Sequence, residues 1–341
     1  MIALSKNLYI VNDLKWSFID AILNKRIKEA IFWITEYYYS GYKKETWDLL
    51  FVTYGCYYFK KNSYYISKMW NLYNKWLIKD DYDIILEIVY KFYKFKKFDF
   101  EFFKIVFNSL KYKKLDTELK KDLLKKLGLK KNNIYNRLVK SLIDKNYKNI
   151  WFFLQFNFEL SFGIIKKYYD NRTISLNNTK ILDKRFQVLM FIWKENENKY
   201  KKKYFKIKIK SEILEFYSSL VNENNIEPHK VLNARRLYKI PESIGCFNLE
   251  RFNYSQDEIV NMYLNDWEYY ANNCPYWKEI FENWGVEFKK SETLFINDDV
   301  LEKFYLKYGL EPDEQNLETH NKSIDKIEKY DINIWIKNFS K

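Results

Sequence analysis

The chain has 341 residues, 47% of them hydrophobic and 30% charged, which is typical of a globular protein and not of a disordered one. This length allows two domains or one extended array, with ample hydrophobic core in either case. The three cysteines, Cys56, Cys246 and Cys274, are scattered without CxxC spacing. This argues against a disulfide framework and a zinc site, and it favours a reducing compartment.

The net charge of +14 is unevenly distributed along the chain. Residues 1–210 carry 44 Lys and Arg against 21 Asp and Glu, whereas residues 211–341 carry 15 against 24. A basic front favours nucleic acid or another polyanion as a partner. The alternative is that the basic and acidic parts attract each other within one molecule, and the sequence leaves both explanations open.

Neither targeting nor membrane insertion is indicated by the apolar segments. The N-terminal residues lack the sustained apolar core of a signal peptide. The longest apolar stretch, residues 151–165, is too short and too interrupted to cross a bilayer. We therefore expect a soluble, intracellular protein.

Helices are predicted from the first residues onward. The first proline is Pro228, and only four glycines precede it, so the turn residues that an all-β fold needs are scarce. Apolar side chains recur at helical spacing, as in residues 47–58 and 84–92. Residues 116–128 begin at a capping Asp116 and end at Gly128, a residue suited to the left-handed position after a helix.

A weak internal repeat accompanies these helices. The segments 22–33, 77–88 and 142–153 each end one helix, turn through a polar triplet and start another helix. Taking Ile27, Tyr82 and Tyr147 as equivalent gives intervals of 55 and 65 residues. The pattern predicts an all-α fold, either an irregular helical-hairpin array resembling an α-solenoid or a large helical bundle.

The second half of the chain is predicted to be divided by a connector. Residues 205–220 align as a helix, although 204–210 also alternate like a strand. We expect a basic helical-repeat-like domain at 1–220, a connector at 221–253 and an acidic helical domain at 254–341. A last helix is expected at 324–339.

The segment 251–285 is predicted to be a tight helical hairpin with an aromatic seam. Ser255 and Glu258 match a capping box, and one helix then runs to about Asn272. Pro275 suits the first turn of the second helix, because its missing N–H would be unpaired there, and Gly285 closes that helix.

Asp266 is the one residue that breaks this apolar pattern. It lies seven residues after Ile259 and hence on the apolar face, so we predict a possible buried carboxylate and a candidate functional group if its pKa is perturbed. The structural alternative is an ion pair with Arg235, Arg236 or Arg251.

Signatures of catalysis are otherwise missing from the sequence. It contains no GxGxxG, P-loop or HExxH motif. The acidic clusters 79–83 and 297–299 could hold magnesium, but each lies where a helix should begin and where acids stabilise the helix dipole. Cys274 would need a nearby base as a nucleophile, and only His229 and His320 are available. We expect no enzyme activity, no catalytic residues, no metal and no cofactor.

The basic front contains the candidate binding residues. Residues 91–150 hold 18 Lys and Arg against 6 acids, and aromatic residues interleaved in 91–104 could stack on bases or turn inward to the core. The chain has 52 Lys but only 7 Arg, so binding should be nonspecific and salt-dependent. The candidates are Lys94, Lys96, Lys97, Lys113, Lys114, Lys120, Lys121, Lys130, Lys131, Lys201, Lys202 and Lys203.

Two stretches, "AIFWITEYYYSGYKKETWDLL" (30–50) and "IGCFNLERF…DWEYYANNCPYWKEIF" (244–281), resemble segments of uncharacterised proteins of nucleocytoplasmic large DNA viruses, the giant-virus group. The stretches cover less than a fifth of the chain. The resemblance implies a viral product of the infected-cell cytoplasm or of the virus particle. It implies no activity and no functional residue.

Two functions follow as hypotheses. The first is a non-enzymatic helical interaction or scaffold protein that binds other proteins. The alternative is an accessory factor that binds DNA or RNA nonspecifically through the basic N-terminal region.

Overall fold

The structure is a computed structural model that describes residues 2–107, 121–130, 134–170, 183–197, 208–221, 237–289, 292–308, 321 and 324–339. Within these ranges the fold is all-α, as predicted, apart from one short antiparallel hairpin and an isolated bridge between Leu4 and Ile10. None of the helices in these ranges has the length and apolarity needed to cross a lipid bilayer.

The helices of the N-terminal half are separated mostly by short turns. They are α1 (Val11–Leu23), α2 (Ile27–Tyr39), α3 (Lys43–Thr53), α4 (Phe59–Asn62), α5 (Ile66–Lys79), α6 (Asp83–Lys94), α7 (Glu101–Phe107), α8 (Lys121–Leu127), α9 (Asn136–Ile143) and α10 (Tyr147–Phe156). A π-helical turn, Tyr54–Tyr58, joins α3 to α4.

The C-terminal half adds shorter helices and the hairpin. These elements are α11 (Phe158–Tyr168), α12 (Lys184–Glu197), α13 (Ser211–Val221), α14 (Gln256–Leu264), α15 (Trp267–Ala271), α16 (Pro275–Asn283), β1 (Glu287–Lys289), β2 (Glu292–Leu294), α17 (Asp298–Tyr308) and α18 (Ile332–Asn338). In the hairpin, Phe288 of β1 is paired with Thr293 of β2.

The chain forms two compact units. Unit 1 comprises residues 1–49, 81–94 and 207–341, and unit 2 comprises 50–80 and 95–206. This division does not coincide with the predicted boundaries at 220 and 254. The predicted boundaries were based on periodicity and charge along the sequence. The segments that make up unit 1 are instead set by contacts between residues more than 200 positions apart.

Unit 1 is built where the N-terminal segment meets the predicted hairpin. The Trp277 indole N–H donates to the carbonyl of Ser5 at 2.9 Å, and the Leu4 amide donates to the carbonyl of Tyr270 at 3.3 Å. Ile2, Leu4, Leu8 and Ile10 join a core that includes Ile259, Met262, Tyr263, Trp267, Trp277, Phe281 and Phe304. The aromatic seam therefore holds the N-terminal segment against the predicted hairpin.

A buried ion pair adds to this closure of unit 1. The guanidinium of Arg251 donates to Asp13 at 2.7 Å, and the two side chains are 4% and 1% exposed. Burial raises the pKa of Asp13 to about 6, although the charge of Arg251 and its hydrogen bond oppose the shift. A second buried carboxylate, Glu36, accepts hydrogen bonds from Ser5 and from the backbone of Asn7.

Unit 2 has an aromatic core. A Cβ atom placed on Gly55, in the π-helical turn, would lie 2.1 Å from the ring of Phe186. Glycine therefore allows this close approach. Phe59 and Phe102 pack edge to face with each other and with Trp193. The residues of this turn were predicted as part of one continuous helical stripe.

The predicted internal repeat has a geometric basis. Lys25, Asp80 and Lys145, each two residues before the aligned positions 27, 82 and 147, adopt positive φ angles of 62°, 46° and 55°. Such left-handed residues are favoured where one helix ends and the chain reverses. The three segments thus share a helix-ending turn.

The details of the C-terminal half differ from the predictions in three places. The helix expected from 205 is observed from Ser211, with residues 208–210 in neither a helix nor a strand and 204–207 outside the described residues. The helix expected at 324–339 is not continuous, because residues 326–331 are not helical and α18 starts where Asp331 caps the amides of Asn333 and Ile334. The single helix expected after Ser255 is broken into α14 and α15.

Candidate nucleic-acid interface

The two compact units carry net charges of opposite sign. Unit 2 contains 33 Lys and Arg against 12 Asp and Glu, a net +21, and unit 1 contains 26 against 33, a net −7. A field of one sign over a compact unit attracts ligands of the opposite sign. Unit 2 is therefore the part of the chain suited to a polyanion.

The candidate lysines are divided between the two units. Lys94 belongs to unit 1, where its ammonium lies 5.2 Å from the ring centres of Tyr90 and Tyr93. Lys96, Lys97 and Lys130 belong to unit 2 and are exposed. Lys121 starts α8, but its side chain lies outside the described residues, as do Lys113, Lys114, Lys120, Lys131, Lys201, Lys202 and Lys203.

The loop that carries Lys96 and Lys97 is held in place by backbone contacts. The side-chain amide of Asn62 donates to the carbonyl of Lys97 at 3.1 Å, and the amide of Asp99 donates to the carbonyl of Tyr57 at 2.8 Å. Both ammonium-bearing side chains extend from this fixed loop toward solvent.

The two acids nearest this loop share one lysine partner. Lys60 contacts Asp99 at 3.5 Å and also pairs with Glu101. Four exposed lysines around them form no ion pair with any residue that the structure describes, namely Lys61, Lys96, Lys97 and Lys104. This group, the 60–104 lysines, has an excess of positive charge at the surface.

A second basic group lies where α8 and α11 end. Lys125 and Lys126 occupy the last turn of α8, and Lys166 and Lys167 the last turn of α11. Lys126 pairs with Asp170 at 2.5 Å. Cations at helix C-termini stabilise the helix dipole, so part of this group has a structural role. None of these four lysines was among the predicted candidates, although the two "KK" pairs are visible in the sequence.

The aromatic rings interleaved with the 60–104 lysines turn inward. Phe95, Phe102 and Phe103 are 4%, 2% and 3% exposed. Phe98 and Phe100 are half-buried and pack edge to face with each other. Phe98 also packs edge to face with Tyr58, and Phe100 with Tyr57. Of the two alternatives for these rings, the structure supports packing in the core and not stacking on bases.

Asp266 is not the buried carboxylate that was predicted. The break between α14 and α15 places it at the start of α15, half-buried, where it accepts a hydrogen bond from Asn261 at 3.1 Å. Partial burial raises its pKa. The prediction assumed one continuous helix, and the break shifts the side chain away from the apolar face. Arg251, one expected partner, pairs with Asp13 instead.

Cys274 occupies a structural position at the start of α16. Its thiol is fully buried and donates to the carbonyl of Ser40 at 3.1 Å, and burial raises its pKa to about 12. A thiol of this kind is a poor nucleophile at neutral pH. His229 and His320 lie outside the described residues.

The two acidic clusters cap helices. Asp81 accepts a hydrogen bond from the amide of Asp83 at 2.9 Å at the start of α6. Asn297 accepts one from Val300 at 2.9 Å, with Asp298 and Asp299 in the first turn of α17. Within the described ranges, the structure contains no group of three or more His, Cys, Asp or Glu placed to hold a metal ion.

A cavity of about 440 Å³ lies in unit 1 between the α1–α2 turn, residues 239–243 and α18. Its main charged groups bond within the protein: Arg26 bridges Asp20 and Glu29, and Lys239 pairs with Asp325 at 2.5 Å. The indole of Trp335 also donates to Asp20 at 2.9 Å. These contacts give the lining a structural role in joining α18 to α1.

Comparison with known proteins adds no further identification. No protein-family model matches the chain, and neither the curated proteins nor the solved structures include a significant match. The functional argument therefore depends on the charges and contacts described above.

Proposed function

We propose that this chain is a non-enzymatic helical interaction protein whose unit 2 binds the phosphate backbone of nucleic acid without reading its sequence. The observation that carries the proposal is the net charge of +21 on unit 2, together with the 60–104 lysines, which form no ion pair with any residue that the structure describes. Lysines that neutralise phosphates release condensed counterions, which is the main source of nonspecific affinity.

The scarcity of arginine supports nonspecific binding. Unit 2 has three arginines, Arg137, Arg172 and Arg185, against 30 lysines. Arg185 is engaged with Asp183 at the start of α12. Because bidentate guanine contacts are mostly made by arginine, few side chains are available for direct readout of bases.

The test is binding of the full-length protein to duplex DNA over a salt series. We expect affinity to fall steeply as salt rises from roughly 50 to 200 mM, by about 10³-fold or more if six phosphates are neutralised. Absence of binding at the lowest salt concentration would rule out the proposal.

Two matched variants locate the binding surface. The unit 2 variant replaces the 60–104 lysines with glutamine (Lys61→Gln, Lys96→Gln, Lys97→Gln, Lys104→Gln). The unit 1 control makes the same change in net charge at four exposed lysines without ion pairs among the described residues (Lys44→Gln, Lys303→Gln, Lys329→Gln, Lys337→Gln). We expect the unit 2 variant to lose roughly tenfold or more in affinity and to show a smaller salt slope. Equal losses in both variants would mean that net charge alone, and not this surface, attracts the DNA.

Docking of other proteins is the second candidate function. Phe156, at the end of α10, and Leu160, in the first turn of α11, are 61% and 55% exposed. Large apolar side chains exposed near each other along the chain favour a protein contact. The test is whether Phe156→Ser with Leu160→Ser abolishes co-purification of a partner that the unit 2 variant retains.

The proposal also includes the site of action. The three cysteines are free and buried, which fits the expected reducing compartment. The resemblance of residues 30–50 and 244–281 to giant-virus proteins supports the infected-cell cytoplasm or the virus particle. Localising the tagged protein in infected cells and in purified particles tests this part.

A further inference from the structure

We infer that unit 2 prefers double-stranded over single-stranded nucleic acid. This inference rests on the proposed nucleic-acid binding and names the form of the ligand. Its basis is the arrangement of lysines and aromatic rings along the segments of unit 2 that the structure describes.

Exposed lysines in unit 2 repeatedly adjoin buried rings. Lys96 follows Phe95, Lys104 follows Phe103, and the same alternation recurs in other helices. The further pairs are Lys148 after Tyr147 and Lys194 after Trp193, with the rings 8% and 5% exposed. The ammonium groups are thus accessible to phosphate, whereas the ring faces are not accessible to bases.

Moving such a ring out of the core would bring no net gain. Stacking of a base on an aromatic side chain stabilises binding by about as much as exposing a buried Phe side chain costs. Because the two terms cancel, the buried rings of unit 2 cannot supply the stacking that gives single-strand-binding proteins their preference.

Charge density then decides between the two forms. Duplex DNA carries one phosphate charge per roughly 1.7 Å of axis, and each neutralised phosphate contributes a salt exponent of about 0.9, against about 0.7 on a single strand. For about six contacts the exponents differ by roughly one, which corresponds to about tenfold tighter binding of the duplex near 0.1 M salt.

Phe156 is the exposed aromatic residue in the described part of unit 2. Its neighbours Gln155 and Asn157 are uncharged, and its ring stacks on Phe152 at a centroid distance of 6.1 Å. We therefore expect no role for Phe156 in binding either form of DNA. The variant Phe156→Ala makes this expectation testable.

The experiment compares the affinity of the full-length protein for a duplex and for an unstructured single strand, oligo(dT), of the same length and at the same salt. We expect about tenfold preference for the duplex. We expect no change in either affinity for Phe156→Ala, and a larger loss for the duplex than for oligo(dT) in the unit 2 variant.

The outcomes separate this inference from the proposed function. Equal or tighter binding of oligo(dT), or a loss of single-strand binding in Phe156→Ala, overturns the duplex preference and leaves nucleic-acid binding intact. Failure to bind either ligand at low salt overturns both. Heparin is a sulfated polyanion without bases. It should compete with the duplex, because the proposed recognition is of backbone charge and not of bases.

Discussion

In the α1–α2 hairpin of unit 1 and in the α9–α10 hairpin of unit 2, the two helices are joined by a turn of the same geometry. In the first turn the amide of Lys25 donates to the carbonyl of Ile22 and that of Arg26 to Ala21. In the second the amide of Lys145 donates to Leu142 and that of Asn146 to Ser141. The two turns thus end their helices with the same pair of hydrogen bonds.

The two turn lysines also cap a third helix. The Lys25 ammonium lies 3.0 Å from the carbonyl of Tyr93 and 3.4 Å from that of Phe92, at the end of α6. The Lys145 ammonium lies 3.2 Å from the carbonyl of Asn196, at the end of α12. Each unit therefore contains a three-helix module tied by one lysine, and the internal repeat seen in the sequence extends to tertiary contacts.

The modules differ in the next residue and in their surroundings. In unit 1 Arg26 bridges Asp20 and Glu29, whereas in unit 2 Asn146 accepts a hydrogen bond from the amide of Asn149, which needs no charge. The same local fold thus accommodates a turn closed by paired charges in unit 1 and a turn closed by an uncharged hydrogen bond in unit 2.

The largest expected effect of this difference is at the buried ion pair of unit 1. Asp13→Ala leaves Arg251 buried without its carboxylate, which should cost about 3–5 kcal/mol of unfolding free energy. The matched control is Asp144→Ala in unit 2, which removes an exposed pair with Lys140 and should cost less than about 0.5 kcal/mol. Chemical denaturation measures both, and equal losses would contradict the contrast between the units.

Unit 2 should be most sensitive where its aromatic core approaches the backbone. In Gly55→Ala the new methyl group would overlap the buried ring of Phe186, and the forced shift should destabilise the protein by about 1–3 kcal/mol. Gly163→Ala, in α11, meets no atom within 4 Å and should instead stabilise the helix by about 0.5–1 kcal/mol. Melting temperatures should therefore move in opposite directions, and a loss in both variants would refute this explanation.

The pH dependence of stability provides a further test of the buried pair. Because burial raises the pKa of Asp13 from 3.8 to about 6, the folded state binds this proton more tightly than the unfolded state. The contribution of Asp13 to stability therefore increases as the pH falls from about 6 toward 4, and it decreases as the pH rises through that window. Compared with Asp13→Asn, the wild type should gain on the order of 1–2 kcal/mol between pH 7 and pH 4. A constant difference between the two proteins over this range would show that the pKa is not raised.

Local signals in the sequence were sufficient for the all-α character and for several helix ends. The capping box of Ser255 and Glu258, the first-turn position of Pro275 and the left-handed Gly285 all occur as predicted. These features depend on residues within one or two helical turns, which a single sequence displays directly. The alignment of Ile27, Tyr82 and Tyr147 likewise located three turns correctly.

Contacts between distant residues could not be predicted in the same way. The partner of Arg251 is Asp13, 238 positions away, and neither residue has a local feature that indicates the other. The position of Asp266 was wrong because an unbroken helix was assumed, and no proline or glycine marks the break after Leu264. The role of the predicted lysines in binding stays a prediction, and Lys94, Lys96, Lys97 and Lys130 are the ones whose side chains lie within the described residues.

The smallest expected effect concerns the lysines of the two equivalent turns. Lys25→Met and Lys145→Met keep the aliphatic stem and remove the ammonium that caps α6 or α12, so each should cost about 0.3–1 kcal/mol. The loss should be larger for Lys25, because it is half-buried and donates to two carbonyls, whereas Lys145 is exposed and donates to one. The measurement belongs at pH 7, where Lys25 is charged even though burial lowers its pKa to about 8. Hydrogen exchange at the last turns of α6 and α12 should accelerate only in the corresponding variant. If neither helix end loosens, the equivalence of the two modules is limited to the backbone of the turn.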